Sequence, residues 1–500
     1  MAIPFAEIPS NLLVPLFYAE VKPAQTPYNA SLRMMLIGHK KSSAYAVYET
    51  PYILSGDDAA RLFGKGSMLE AMYRKARAQS PFIEIWGCAT TPAVGAVKAT
   101  GSIQVTGNPA NKSGLVHLWI AGYTVHTVIR PTDTAATLAA RIKANIDRND
   151  NLPVRATING TTDSLIDLEC KWSGASGNSI WMEKWVWGSD NRYSSLLTLT
   201  QMANGSGNSG LAAALAAIGD EQFDVLIVGN QGSTSQLDEL DDFFDHSSGR
   251  WSPYKQRFGH AFIGAWKSYA NLITLGGERN GPHVTVMGTY GSPTPVWEWS
   301  AAIGARVTQH WATPPELSRP LQTIKLNLIE PPRNPADWWT IEERQALLDA
   351  GIATYTVDPD RTVRIDRLVT TYQTNDWGSP DASWRDAITL FQVMFFVRYM
   401  RAAITGAYPR AALTDEETGI EGFTSPPEIK ELLIHAYQEL QALGLVENVE
   451  DFAEALVVER NALDANRVDV LARPDFVNQL RIFAMLAETH LQLDLQDVAA

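Results

Sequence analysis

The feature that most constrains the fold is an alternation of strand-like and helix-like segments that begins at Arg33, breaks near residue 93 and resumes after residue 190. Arg33–Gly38 reads as a buried strand, Ser55 to Asp58 open a helical stretch through LFGKGSMLEAMYRKARAQ, and PFIEIWGCA reads as the next strand. Beyond the break, helical segments at Leu211–Ile218, Gln236–Phe244 and about Val296–Trp311 alternate with strand segments at Asp224–Val228, His260–Ala265 and Val284–Met287. Such alternation predicts an α/β layer.

The break itself, residues 93–190, reads as an inserted, mostly β domain. LVHLWI and YTVHTVI flank Ala121-Gly122 as a hairpin, an alanine-rich helix runs from Asp133 to about Asp147, and a second hairpin turns at Asn159-Gly160. After the α/β layer, Thr340 and Glu343 form a capping box and Gly351 supplies the helix stop. Strands Ile352–Val357 and Thr362–Tyr372 surround a turn at Asp358–Arg361. Helices are expected over about 383–405 and 428–443, and LVVERN, RVDVLA and RIFAMLAETHLQLDLQ carry strand patterns. The resulting division is an α/β, in part α+β, multidomain chain: a discontinuous α/β domain over 31–92 and 191–330, the insert over 93–190, a C-terminal α+β domain over 331–487, and terminal arms at 1–30 and 488–500.

The arms follow from pattern. Pro4, Pro9, Pro15, Pro23 and Pro27 bar a continuous helix and leave short extended pieces such as Leu12–Val14 and Leu16–Tyr18. Exposed main chain with apolar side chains suits addition to the sheet edge of another chain, the alternative being a strand packed on its own domain. Near the end, Leu491, Leu493 and Leu495 alternate with His490, Gln492, Asp494 and Gln496, a second arm of the same kind. Glu7 and Glu20 interrupt what a secretory leader would need uninterrupted. A formal net charge of −14 argues against a nucleic-acid-binding surface, and Gln392, Arg398 and Arg401 make the most apolar long stretch a buried helix rather than a membrane span. Two distant cysteines, Cys88 and Cys170, exclude a disulfide framework and fit synthesis in a reducing compartment.

No constellation carries chemistry. Gly205, Gly207 and Gly210 match GxGxxG, but Asp224 opens the following strand where a ribose-binding acid should close it. His260 lies in a strand-like segment with no GxSxG elbow in the chain. If the hairpin is symmetric, His117 and His126 face each other, and two ligands do not make a zinc site. Asp376, Asp381 and Asp386 are explained first by turns and helix capping. No cofactor or metal is expected.

Several long strings in order resemble the contractile tail sheath proteins of Mu-like bacteriophages: IPFAEIPSNLLVPLFYAE, LFGKGSMLEAM, GLVHLWIAGYTVHTVI, NPADWWTIEERQALLDAGIATYTV, RIDRLVTTYQTN and LVVERNALDANRVDVLARPDFVNQLRIFA. The resemblance spans essentially the whole chain. It implies a non-enzymatic structural subunit with a subtilisin-like α/β sheath domain lacking a catalytic triad, polymerised as stacked hexameric rings around a tail tube. It implies a sheath that is assembled in the host bacterial cytoplasm, forms part of the virion tail and contracts to deliver the genome. Implied partners are further copies of the chain, the tail tube protein, and baseplate and tail terminator proteins, with neither direct nucleic-acid contact nor membrane insertion. Arms would exchange strands between subunits, placed here near Val14, Leu16 and Tyr18 and near Leu491, Leu493 and Leu495. The C-terminal region would face the tube, with Arg385, Arg398 and Arg401 as candidate contacts. The sheath of a tailocin or a secretion-type injection machine is the near alternative, and a subtilase-like hydrolase the distant one.

Overall fold

In a computed structural model, which describes residues 31–184, 193–230, 233–487 and 489, the alternation of strands and helices becomes one eight-stranded sheet. Its first pieces are β1 (Arg33–Gly38), β2 (Pro51–Leu54) and β3 (Glu84–Ala89), with α1 (Asp58–Phe63) and α2 (Met68–Gln79) between the last two. The single helical stretch expected here is two helices, because Gly64 and Gly66 take φ of +82° and +71°. Ser67 then caps α2 by accepting the Glu70 N–H, while the Glu70 carboxylate accepts the Gly66 N–H. Only glycine fits at residue 66, since a Cβ would stand 2.3 Å from the Asp150 carbonyl oxygen of the insert.

The insert holds β4 (Thr100–Val105), β5 (Gly114–Ile120), β6 (Tyr123–Ile129), α3 (Ala135–Arg148), β7 (Val154–Ile158), β8 (Leu165–Cys170), β9 (Met182–Glu183) and β10 (Leu197–Ala203). They form a four-stranded sheet, β10-β4-β8-β7, and a three-stranded one, β6-β5-β9. The β5–β6 turn has φ of 53° at Ala121 and 77° at Gly122, the two positive values that a two-residue hairpin with matched twist requires. Leu197–Ala203 pairs with β4, so this stretch joins the insert rather than the resumed α/β layer in which the sequence boundary at 191 places it. Its alternating burial fits a sheet with one covered face.

The main layer continues with α4 (Ala212–Ile218), β11 (Val225–Val228), α5 (Thr234–Phe244), β12 (His260–Ala265), α6 (Tyr269–Gly277), β13 (Val284–Gly288), α7 (Val296–His310), α8 (Ile341–Asp349), β14 (Ile352–Val357), β15 (Val363–Arg367) and α9 (Ala387–Ala407). The sheet order is β15-β14-β13-β12-β11-β1-β3-β2, parallel from β14 to β3 and antiparallel at the two edges. Every residue of β11, β12 and β13 is buried, as expected of parallel strands covered on both faces. The hairpin β14–β15 extends this sheet, although the sequence boundary at 331 assigns it to a separate domain. A hairpin signal specifies its own turn but not the sheet it joins.

Helix α7 is sewn to the sheet: the Gly264 N–H of β12 donates to Ser300 Oγ at 2.7 Å. It also carries Glu298, 2% exposed, which holds Lys75 of α2 at 2.8 Å and accepts a hydrogen bond from Tyr123 of the insert hairpin at 2.9 Å. Arg74 in turn donates to the Tyr123 hydroxyl. Replacing Tyr123 with phenylalanine removes a partner from a buried carboxylate, and the expected loss is about 1.5–3 kcal/mol in urea unfolding. A variant as stable as the parent would mean that the network contributes nothing.

The chain divides into two compact units. The one just described takes residues 31–395 with 442–447 and those from 476, and the other takes 396–441 and 448–475. The second is built on the helix Pro426–Ala442 and an antiparallel hairpin of Val457–Arg460 with Val468–Leu471. Inside it Tyr437 stacks on Phe452 at 3.7 Å, and the Tyr399 hydroxyl donates to Glu439. Residues 481–487, the described start of the strand-like string RIFAMLAETHLQLDLQ, form no strand.

Candidate functional site

The polar groups that tempt an enzymatic reading are structural. His260 is fully buried, its Nε2 lies 2.8 Å from Thr285 Oγ1, its ring packs on Phe262 and Phe391, and burial holds its pKa down to about 3. It meets no substrate-accessible surface. The glycine-rich loop leads into α4, but the helix start is already occupied: the Glu239 carboxylate accepts the N–H groups of Leu211 and Ala212. A phosphate would find a negative charge in place. A Cβ on Gly205 would stand 2.6 Å from the Gly174 carbonyl oxygen, so close packing against the insert accounts for that glycine.

His117 and His126 are register partners in β5–β6, with Nδ1 atoms 3.0 Å apart, and among the described residues no group of three or more His, Cys, Asp or Glu is disposed to hold a metal. Asp381 accepts from Ser383 and from the Tyr372 hydroxyl, a turn role. Asp386 is bound by Arg367 through two contacts of 2.9 and 2.8 Å. The thiols of Cys88 and Cys170 are buried and pushed up to about 12 by desolvation, which leaves them unreactive.

What distinguishes the surface is the end of the described chain. Residues 477–481 are fastened to the first unit by side chains: Gln392 Nε2 donates to the Val477 carbonyl at 3.1 Å, Gln322 Nε2 to the Leu480 carbonyl at 3.2 Å, and Arg481 meets Asp386 at 3.1 Å. Immediately beyond, Ile482, Phe483, Met485 and Leu486 are 75–86% exposed in a run that pairs with no strand among the described residues. An anchored root followed by a bare apolar segment is a structure waiting for a neighbouring surface. Sequence reasoning found the strand-like pattern here but missed the anchor, because Asp386 and Arg481 are too far apart in sequence to signal each other.

The expected strand-exchange residues Val14, Leu16, Tyr18, Leu491, Leu493 and Leu495 lie outside the described residues. Of the proposed tube contacts, Arg385 precedes α9 and gives its carbonyl to the Thr370 N–H, whereas Arg398 and Arg401 stand three residues apart on α9, half-buried and exposed respectively. Helix α9 is long and apolar enough to cross a membrane, yet its most apolar window is 61% buried, as in the core helix of a globular fold.

Buried polar groups committed to structure stand beside an anchored apolar segment at the surface, the arrangement of a structural protein. The chain belongs to the phage tail sheath family. Residues 204–371 match the phage tail sheath protein central domain, and residues 379–489 match the phage tail sheath C-terminal domain. A Mu-like prophage FluMu tail sheath protein from Haemophilus influenzae is 31% identical over 492 residues, covering 97% of this chain and 99% of that protein. The crystal structure of a sheath tail protein from Desulfitobacterium hafniense shares the fold at 12% identity, with a TM-score of 0.50 over 93% of this chain and 97% of that one. The contracted helical sheath of the anti-feeding prophage is a looser likeness, with a TM-score of 0.43 at 10% identity over 95% of this chain and 99% of that one. The protein is therefore a tail component of a phage virion.

Proposed function

We propose that the chain polymerises as stacked hexameric rings around the tail tube and contracts to drive the tube through the host envelope during genome delivery. The observation that carries this reading is the anchored, unpaired segment at 477–486 in a member of the sheath family. The α/β body is read as subtilisin-like without a catalytic triad, and the C-terminal region as the face toward the tube, with Arg385, Arg398 and Arg401 as its candidate contacts. Further partners are the baseplate and tail terminator proteins, with assembly in the host cytoplasm.

Arms around residues 14–18 and 491–495 pair with sheet edges of neighbouring copies. At about 0.5–1.5 kcal/mol net for each backbone hydrogen bond, roughly four bonds give an arm about 2–6 kcal/mol. Each arm is weak, but repetition along a tube holds the lattice while folded bodies rotate against one another. Contraction then runs down a gradient stored in a kinetically trapped extended form and needs no nucleotide. Deleting residues 1–20 tests the reading: negative-stain electron microscopy of the parent should show striated hollow cylinders, and the truncation should give soluble folded subunits only. Normal tubes from the truncated chain would sink the role of the arm, and a parent that never polymerises, even with tube protein present, would sink the reading as a whole.

A further inference from the structure

The main chain of the first unit lets go of its C-terminal segment at residue 477. There the Val477 N–H donates to the Leu445 carbonyl at 3.0 Å, and among the described residues no main-chain hydrogen bond follows it. From 478 onward only side chains hold the segment. Gln392 and Gln322 reach its carbonyls through neutral amides. The Arg481 guanidinium, 16% exposed, is held by charge: its Nη2 lies 3.1 Å from Asp386 Oδ1 and also donates to Gln479 at 3.2 Å. From Ile482 every described residue is exposed.

Asp386, 18% exposed, stands immediately before α9 and is also bound through both oxygens by Arg367 of β15, the last strand of the main sheet. One mostly buried carboxylate therefore serves two guanidiniums, one on the body and one on the chain end. Hydrogen bonds between charged groups are stronger than those of neutral amides, so this pair dominates the hold. The two arginines are not equivalent. Arg367 sits in a paired strand, whereas Arg481 sits on a segment without main-chain bonds. Without the anion between them the two cations repel, and only Arg481 is free to leave.

We propose that Arg481 is a positioning residue: its ion pair with Asp386 is a clasp that fixes the point from which the C-terminal arm leaves the subunit. The use of the clasp rests on the sheath reading, in which residues 491–495 pair with another copy. Closed, it leaves Leu491 ten residues from its fixed point, a reach of at most about 33–36 Å. Opened back to Val477, the distance is fourteen residues and the reach about 46–50 Å. A closed clasp confines the arm to a smaller volume and raises its effective concentration at a nearby edge; an open one supplies slack.

Trypsin reads the clasp directly. Arg481 is the last lysine or arginine in the chain, so cleavage after it frees residues 482–500 as one peptide for mass spectrometry. An arginine held by Asp386 cannot enter the protease. In the full-length parent, release should be at least about tenfold slower than cleavage of a synthetic peptide of residues 476–487, and Asp386→Asn should remove most of that protection. Asp386→Glu should restore it, and cleavage after the exposed Arg410 should be the same in all three proteins. A parent cut as fast as the peptide, or an Asp386→Asn variant as protected as the parent, overturns the proposal. Should Asp386→Asn loosen Arg410 as well, its fold is at fault and the parent decides: its protection relative to the peptide should fall as sodium chloride is raised to 1 M, and protection that salt does not move rejects the ion pair. Polymers formed by Asp386→Asn as readily as by the parent, with Arg481 open, overturn the positioning role. A parent that never polymerises while Arg481 stays protected counts against the sheath reading and leaves the clasp standing.

Discussion

Replacing Gly304 with alanine is expected to destabilise the α/β unit by about 2 kcal/mol, although the same change in an exposed helix would stabilise it by about 1 kcal/mol. The sign reverses because α7 crosses the sheet at its closest approach there. A Cβ on residue 304 would stand 1.9 Å from Ile227 Cδ1 and 2.8 Å from Ile227 Cγ1, on a strand buried along its whole length. Ile227 has no solvent to swing into, so either helix or sheet must move, and Ser300 and Gly264 tie the two together four residues away. Ile227→Val removes the nearer atom, and the double variant should recover about half of the loss. All 15 tryptophans lie between Trp86 and Trp384, so their fluorescence during urea unfolding reads this unit and not the one built on Pro426–Ala442. A midpoint for Gly304→Ala equal to or above that of the parent would show that the layer spacing is adjustable, and the tight-crossing argument would fail.

The crossing was only half legible in the sequence. WSAAIGARV reads as a helix, and nothing in it says that the glycine faces a strand rather than ending a turn. Local signals fared well where their physics is local: Thr340 accepts the Glu343 N–H, Gly351 takes φ of +75°, and His117 opposes His126 in register. They fared less well where a decision depends on remote partners. The positive φ at Gly64 and Gly66 cuts one helical stretch into two, and the carbonyl of Asp150 that requires Gly66 is far along the chain. The β14–β15 hairpin was recognisable as a pair of strands while β10 was not assigned at all, and in both cases the sheet is chosen by burial on faces that a single strand does not reveal. For residues 481–487 the apolar, strand-like composition is present and the strand is absent, since a strand needs an edge to pair with and none is supplied among the described residues. The anchor of residues 477–481 collects Gln322, Asp386 and Gln392 from remote segments, so no window of sequence contains it.

Lowering the pH from 7 to 5 should cost this unit about 4 kcal/mol through two histidines. His39 and His260 are fully enclosed, and desolvation lowers their pKa values to about 4 and about 3, from an ordinary value near 6.5. In the unfolded chain both imidazoles take up a proton as the pH falls through about 6.5; in the folded chain they stay neutral until about 4 and about 3. The unfolded state therefore binds more protons across this window, and stability, fully present above about pH 7, drains away as the pH falls, at about 2 kcal/mol per histidine by pH 5. His283, immediately before β13 and 3.0 Å from His246, is also lowered well below the usual range by burial and adds to the slope. Carboxylates held below their ordinary range, such as Asp133 beside Arg141, titrate below this window and leave it to the imidazoles. His260→Asn keeps a polar side chain opposite Thr285 but cannot be protonated, so its stability should fall between pH 7 and 5 by about 2 kcal/mol less than that of the parent, whatever its absolute value. The same pH dependence in both proteins would mean that His260 is solvated or paired when charged, and that the strand carrying it is less closed than its burial implies.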